Sequence, residues 1–156
     1  MATQKLLFGL ISFLHNTFTV VWIGGLAIMV LTLLPTVKKT ITDNTLAKEF
    51  MKAVVTRQRK WVYICIVGLF ITGMLMGKAN PYAPGFMTFD TTYGVIASIK
   101  HILTFLMIFI AIGRSQFFVR AQEKKPDSAD LGSIPIIANF VLGIIVLLLS
   151  SMMAIL

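Results

Sequence analysis

The chain has 156 residues, of which 57% are hydrophobic and only 13% are charged. A soluble domain is usually about 45–50% apolar and about 25% charged, so this composition excludes an ordinary soluble protein. The net charge of +8 would suit nucleic-acid binding, but most of the basic residues lie between long apolar segments or near their ends. Their placement marks membrane topology, and no nucleic-acid partner is expected.

Apolar residues are concentrated in four segments, at residues 6–34, 58–77, 91–120 and 131–156. Each is long enough to cross a bilayer, which takes about 20 residues in a helix. None shows the short alternating pattern of a β-barrel strand. The sequence predicts one all-α domain, an integral membrane four-helix bundle in up-down-up-down order, surrounded by lipid. The first segment exceeds the hydrophobic part of a signal peptide, about 7–15 residues, and we expect it to be retained.

The basic residues predict the orientation of the bundle. Eleven of the 14 Lys and Arg residues lie in two connections on one side, between residues 35 and 60 and between residues 114 and 125. Cytoplasmic connections carry this excess, so both termini are expected outside the cell membrane.

Two of the connections carry further predictions. Leu46, Phe50, Ala53 and Val54 share one helical face in the first inner connection. That stretch is expected to lie on the membrane surface or to extend the second helix into the cytoplasm. The outer loop at residues 80–89 contains aromatic residues and prolines, and it is expected at the lipid interface or over a site below it.

Two histidines are the candidate metal ligands. His15 lies nine residues after Leu6, where the first span begins, and His101 lies eight residues after Tyr93, near the start of the third. Both spans begin on the outer side, so a rise of 1.5 Å per residue puts both imidazoles roughly 12–14 Å below that surface. If the two helices face each other, both rings can bind one metal centre in the bundle core.

Small side chains near these histidines leave room for a flat ligand. Ser98 and Gly94 lie one and two turns before His101, and Trp22 follows His15 on an aromatic face. A haem b held by two histidines fits such a slot. Ordinary packing of membrane helices also uses small residues, so histidines that only bond a neighbouring helix are an alternative, as is a bare metal ion.

Lys100 and a pair of methionines are the other chemically notable residues. A lysine within a span costs about 2.5–3.5 kcal/mol on insertion, and no Asp or Glu lies inside the predicted spans. Lys100 is expected either to snorkel outward or to bind an anionic group such as a porphyrin propionate or a quinone or phospholipid oxygen. Met74 and Met76 carry thioethers, which bind Cu(I), so copper held by them with His15 and His101 is an alternative.

The segment Leu14-His15-Asn-Thr-Phe-Thr-Val-Val-Trp22-Ile-Gly24-Gly25-Leu26 resembles the first-helix motif of the copper-resistance protein D (CopD) family. It is also similar to the related HemJ-type protoporphyrinogen oxidases, and Ile99-Lys100-His101-Ile-Leu103 is similar to their lysine-containing third-helix segment. The resemblance covers helices one and three. It implies haem b in the outer half, with His15 and His101 as axial ligands and Lys100 beside an anionic group. The pocket would be shaped by Trp22, Gly24, Gly25, Gly94 and Ser98.

The sequence therefore predicts a haem-binding protein of the cell membrane that transfers electrons or handles haem itself. The stretch from Met29 to Lys38 lacks the Leu-Pro-Arg-Leu and Tyr-His pattern of the HemJ-type proteins, which argues against porphyrinogen oxidation even with the haem site kept. Whether the protein is another haem-dependent membrane oxidoreductase stays open. Expected partners are a quinone, a porphyrin or an extracytoplasmic redox protein, and a homo-oligomer is compatible with the pattern. The alternatives are a copper transport or copper-resistance protein and a small membrane scaffold subunit.

Overall fold

The structure is a computed structural model, and it describes residues 2–79, 87, 89–124, 133–153 and 155. Side chains are described for all of these except residues 2, 79 and 115–124. The predictions for the outer loop fall largely outside the described residues, as does the connection at residues 125–132. The described elements are α1 (Ala2–Ala27), a π-helical segment (Ile28–Leu33), α2 (Leu34–Thr40), α3 (Asn44–Ala79), α4 (Thr92–Lys124) and α5 (Ser133–Met153).

Four helical stretches are long and apolar enough to cross a membrane, namely Thr3–Thr40, Asn44–Lys78, Thr92–Arg114 and Ser133–Met153. The predicted all-α four-helix architecture is confirmed. In the described part of the chain, α1 packs along α3 and against α5, and α4 packs on α5. The backbone of α4 makes few close approaches to α1 or α3, so the bundle is looser on that side.

The first helix continues through Pro35, beyond the predicted end at residue 34. Proline lacks an N–H and clashes with the carbonyl four residues before it in an α-helix. The π-helical segment Ile28–Leu33 directly precedes α2, and Pro35 lies in the first turn of α2, where its missing N–H is tolerated. The helix therefore reaches Thr40, and the connection predicted at residues 35–60 is reduced to residues 41–43.

Asp43 caps the N-terminus of the long helix α3. Its Oδ1 accepts the backbone N–H of Thr45 at 2.8 Å and that of Leu46 at 3.4 Å, as an N-cap side chain does. From there α3 runs for 36 residues, about 54 Å at 1.5 Å per residue, whereas a hydrocarbon core is about 30 Å thick. Of the two predicted alternatives, the structure has the amphipathic stretch as an extension of the second helix.

The apolar core of the bundle extends into the hairpin of α2 with the start of α3. Its members there are Met29, Leu34 and Val37 from the first span and Ala47 and Met51 from α3, all 5% exposed or less. We call this end of the bundle the inner end and the end with the N-terminus the outer end.

The apolar face of α3 predicted from the sequence is not the face that contributes to the core. Leu46 is 54% exposed and Phe50 is 43% exposed, whereas Ala47 and Met51 are buried. Ala47 and Met51 belong to the same apolar cluster as Leu34 and Val37, although the backbones of α2 and α3 make few close approaches. Leu46 and Phe50 remain on the outside of the hairpin.

Candidate functional site

His15 on α1 is hydrogen-bonded across the bundle to α3. Its Nδ1 lies 2.8 Å from Thr72 Oγ1, and the Thr72 hydroxyl donates to Gly68 O at 2.7 Å within its own helix. A hydroxyl has one proton, so we assign the proton of the other bond to His15 Nδ1, which donates to Thr72. The neutral imidazole then keeps its lone pair on Nε2, an atom through which histidine binds metals.

Close packing of α1 on α3 brings this pair together. A Cβ added to Gly68 would overlap the ring of Phe18, and one added to Gly73 would lie 3.7 Å from His15 Cε1. Gly68 is therefore the position that requires glycine. Small residues permit close approach of this kind at contacts between membrane helices. Thr72 is only 5% exposed, so the bond to His15 is held inside the bundle.

Lys100 and His101 on α4 lie near His15. Both side chains are half-buried, and both lie within electrostatic reach of His15. The His101 ring also contacts the backbone of Ala97, one turn earlier. The spans Thr3–Thr40 and Thr92–Arg114 contain no Asp or Glu, so this group of basic side chains is suited to an anionic ligand.

The two histidines lie at similar depths in the bundle. A Cβ added to Gly143 of α5 would lie 3.4 Å from both Ile23 and Met107, so these two residues are at one level. Ile23 follows His15 by eight residues and Met107 follows His101 by six. With a rise of 1.5 Å per residue, the depths of the histidines differ by about 3 Å.

Ser98 and Gly94 lie on the buried side of α4. Ser98 is 1% exposed, and Gly94 is buried as well. The Gly94 N–H donates to Thr91 Oγ1 at 3.1 Å, which caps the first turn of α4. Both small residues therefore lie on the interior side of the same helix as His101, between that ligand candidate and the outer end.

The methionines of the copper alternative do not share one face. Met74 is 50% exposed, whereas Met76 is half-buried. Residues two apart on an α-helix point about 200° apart. The two thioethers therefore cannot approach one ion from the same side of α3.

Trp22, Gly24 and Gly25 lie deeper than the histidines. Trp22 follows His15 by seven residues, about 10 Å along the helix, and it lines a separate cavity toward the inner end. A Cβ on Gly25 would lie 2.6 Å from Gln58 Nε2, whereas a Cβ on Gly24 would have no described atom within 4 Å. The motif from Leu14 to Leu26 is thus spread along the helix. Its histidine lies beside Thr72, whereas its Trp22 lines the inner cavity.

The roles of several residues at these sites were not predicted from the sequence. Thr72 was expected in the outer half of the second helix, near the histidines, but its bond to His15, 57 positions away, was not predicted. Asn139 is a polar residue within an apolar span and is 4% exposed, but the sequence assigned it no role. The basic residues Arg59 and Arg114 were interpreted only as topology signals, yet both line the inner cavity.

The donor set at the histidines suits haem better than a bare ion. In the described part of the chain, no group of three or more His, Cys, Asp or Glu side chains is placed to hold a metal. Structural and catalytic zinc sites use three or four protein ligands, whereas a haem iron takes only axial ligands from the protein. Two histidines at similar depth on helices whose backbones stand apart are compatible with a flat ligand between them.

The chain matches no family model, no curated protein and no solved structure. Its function is therefore inferred from its own residues.

Proposed function

We propose that this protein binds haem b in the outer half of the bundle, with His15 and His101 as axial ligands. Its role would be electron transfer to or from a membrane quinone or an extracytoplasmic partner, or the handling of haem or porphyrin. When bound, haem supplies one-electron chemistry. The chain's own residues hold the group, orient its ligands and shelter it from water. This proposal extends the resemblance to the copper-resistance protein D and HemJ-type proteins.

The His15–Thr72 hydrogen bond is the observation that carries the proposal. A ligating histidine almost always donates its second ring N–H to a fixed acceptor, which sets the tautomer and the ring orientation. Thr72 provides that acceptor because its own proton is used on Gly68 O at 2.7 Å. The arrangement supports ligation through His15 Nε2.

The position of Lys100 supports the binding of an acidic ligand at the depth of the two histidines. Its side chain is half-buried, and a charge in that position is costly without a partner. Haem b carries two propionates, and one of them would provide the missing anion. The role assigned to Lys100 is therefore to hold a carboxylate and to orient the group that bears it.

We further propose that the outer end faces the extracytoplasmic side. The hairpin end carries seven basic residues, namely Lys38, Lys39, Lys48, Lys52, Arg57, Arg59 and Lys60. An excess of this kind favours the cytoplasmic side. The histidine site would then be nearest to partners outside the cytoplasm, and both termini would be outside as well.

An absorption spectrum of the detergent-purified protein tests the haem proposal. We expect a Soret band and sharp α and β bands on reduction, as low-spin iron with two histidine ligands gives. His15→Ala and His101→Ala should each produce a high-spin or haem-free spectrum. Asn16→Ala, which changes the exposed neighbour of His15, is the matched control and should keep the wild-type spectrum. A colourless protein, or unchanged spectra in both histidine variants, would overturn the proposal.

Lys100→Met separates the remaining possibilities. If Lys100 holds a propionate, the variant should keep the low-spin bands but lose haem more readily and shift in midpoint potential. If the lysine only snorkels, the variant should match the wild type in spectrum and potential. If the site binds Cu(I), the added thioether should strengthen copper binding. Haem content, midpoint potential and copper stoichiometry distinguish these results.

A further inference from the structure

A second polar site lies toward the inner end, where all four long helices contribute to one cavity. Its volume is about 80 Å³. One water needs about 10–15 Å³, so the cavity has room for several waters or for one small anionic group. Trp22 lines this cavity, about 10 Å along α1 from His15. The cavity is therefore distinct from the histidine site.

Two buried polar atoms lack a protein partner here. Among the described residues, Trp22 Nε1 and Asn139 Oδ1 are buried without a hydrogen bond, and both residues line the cavity. Trp22 is 3% exposed and Asn139 is 4% exposed, so both polar atoms lie inside the bundle and do not face the surrounding lipid. Buried polar groups are normally hydrogen-bonded. The indole N–H can only donate and the Asn139 Oδ1 can only accept, so a ligand that carries both an acceptor oxygen and a hydroxyl donor would satisfy both.

The charged lining of the cavity is entirely basic. Lys52 and Arg59 come from α3 and Arg114 from α4, and the residues that line the cavity in the described part include no Asp or Glu. Arg114 lies 22 residues after Thr92, the first residue of α4, which is about 33 Å at 1.5 Å per residue. A hydrocarbon core is about 30 Å thick, so an Arg114 side chain at this distance suits the headgroup layer. Basic pockets between helices on the cytoplasmic side are suited to anionic lipid headgroups. Arginine also matches phosphate geometry with paired N–H donors.

We propose that this cavity binds a phosphate group, and specifically that of an anionic phospholipid of the inner leaflet. Arg59 and Arg114 would hold the phosphate oxygens, Trp22 Nε1 would donate a hydrogen bond to one of them, and Asn139 Oδ1 would accept one from a headgroup hydroxyl. The site joins α1, α3, α4 and α5 through one ligand. It does not depend on haem binding at His15 and His101.

Trp22 provides a direct reporter for the test. The chain has two tryptophans, and Trp61 is 58% exposed and away from the cavity lining. A Trp61→Phe background therefore leaves Trp22 as the only indole. Titration of this protein in detergent with short-chain phosphatidylglycerol should give a saturable change in fluorescence. Phosphatidylcholine should bind more weakly, because its headgroup carries no net negative charge.

Three further variants in the Trp61→Phe background test the assigned contacts. Arg114→Gln should weaken phosphatidylglycerol binding by roughly tenfold or more, as expected for loss of a charge-assisted hydrogen bond. Lys52→Gln, at an exposed position, should weaken binding too and remains usable if Arg114→Gln does not fold. Lys39→Gln is the matched control, because it removes an exposed charge from α2 that does not line the cavity. It should bind like the background protein.

Titration with inorganic phosphate shows whether the cavity binds the phosphate of a phospholipid headgroup or free phosphate. Tighter binding of phosphatidylglycerol than of inorganic phosphate supports the lipid, since acyl chains add contacts with the apolar helix surfaces. Saturable binding of inorganic phosphate with no preference for the lipid retains the phosphate site but overturns the lipid assignment. No saturable signal from either probe overturns the proposal. Equal weakening by Lys39→Gln and Arg114→Gln also overturns it, because the attraction would then be general to the basic surface.

Discussion

Two residues one turn apart on α3 control how α1 meets that helix. Gly68 lets the Phe18 ring approach the backbone, and Thr72 bonds His15 at 2.8 Å. The first contact is steric and the second is polar. Single substitutions can therefore change each one separately.

Thr72→Val should remove the acceptor of His15 while nearly keeping the side-chain shape. Hydrogen bonds between membrane helices average about 0.6 kcal/mol with a maximum near 1.7 kcal/mol, so the free energy of unfolding should fall by about 1 kcal/mol. Haem retention should fall as well, because the ring orientation is no longer fixed. Unfolding in detergent and haem content measure the two effects. Thr17→Val is the control, since Thr17 is exposed and bonds only Phe13 O in its own helix. An equal loss of stability and haem in both variants would contradict the assigned role of Thr72.

Gly68→Ala should destabilise the protein by about 1–3 kcal/mol, the usual cost of inserting a carbon into a packed contact. The new Cβ overlaps the Phe18 ring, and the ring must move for the helices to remain in place. Gly77→Ala is the matched control on the same helix, because a Cβ there has no described atom within 4 Å. It should be neutral or stabilising by up to about 1 kcal/mol. Thermal unfolding of both variants checks the contrast, and equal stability of the two would refute the close contact.

At the scale of whole elements, the first two spans behave as one long helical hairpin. Its turn consists of residues 41–43, and Asp43 caps α3 through the N–H groups of Thr45 and Leu46. Met29 and Met51, among the most buried side chains, pack within it. The cap and this core together keep the start of α3 attached to α2.

Asp43→Ala should lower the stability of the hairpin by about 0.5–2 kcal/mol, as loss of an N-cap does. Glu49→Ala removes the same charge from an exposed position of α3 and should change stability by less than about 0.5 kcal/mol. Hydrogen exchange of the backbone amides in the first turns of α3 measures the local effect. Faster exchange in Asp43→Ala alone is expected, and equal exchange in the two variants would contradict the cap.

The existence of the four spans was predictable, but the hairpin was not. Length and apolar composition suffice for a span because the bilayer imposes both. The continuation of the helix past Pro35 depends on the π-helical segment before it, and that segment has no recognisable sequence pattern. Hydrophobicity alone does not identify the face of α3 that joins the core, because lipid accepts large apolar side chains such as Leu46 and Phe50 on the outside.

At the scale of the whole molecule, polar groups are divided between two levels. The histidines and Lys100 lie in the outer half, and the cavity with Trp22 and Arg114 lies toward the inner end. The candidate ligands His15 and His101 were predictable because they are the only histidines and lie at similar depth. Their partner Thr72 and the inner cavity depend on contacts between distant parts of the chain, which a motif on one helix does not encode.

The orientation of the bundle gives a labelling prediction. Single cysteines at Asn44 and Ser128 should react with an impermeant maleimide only from the cytoplasm, because the basic residues lie on that side. A cysteine at Tyr82 should react only from outside. The native Cys65 is buried, and Cys65→Ala provides a background without it. The reverse pattern would move the histidine site to the cytoplasmic half and exchange the assigned partners.

The π-helical segment sets the rotational phase between the two halves of the first span. A π-turn arises from one extra residue in an α-helix, and each residue turns an α-helix by about 100°. In a regular α-helix, one extra residue would rotate α2 by that angle relative to His15. Leu34 and Val37 would then leave the apolar cluster that they share with Ala47 and Met51, although the composition of the span would hardly change. The wider π-turn takes up the extra residue, so both halves of one continuous helix keep facing their partners, the histidine site near the outer end and the apolar cluster near the inner end.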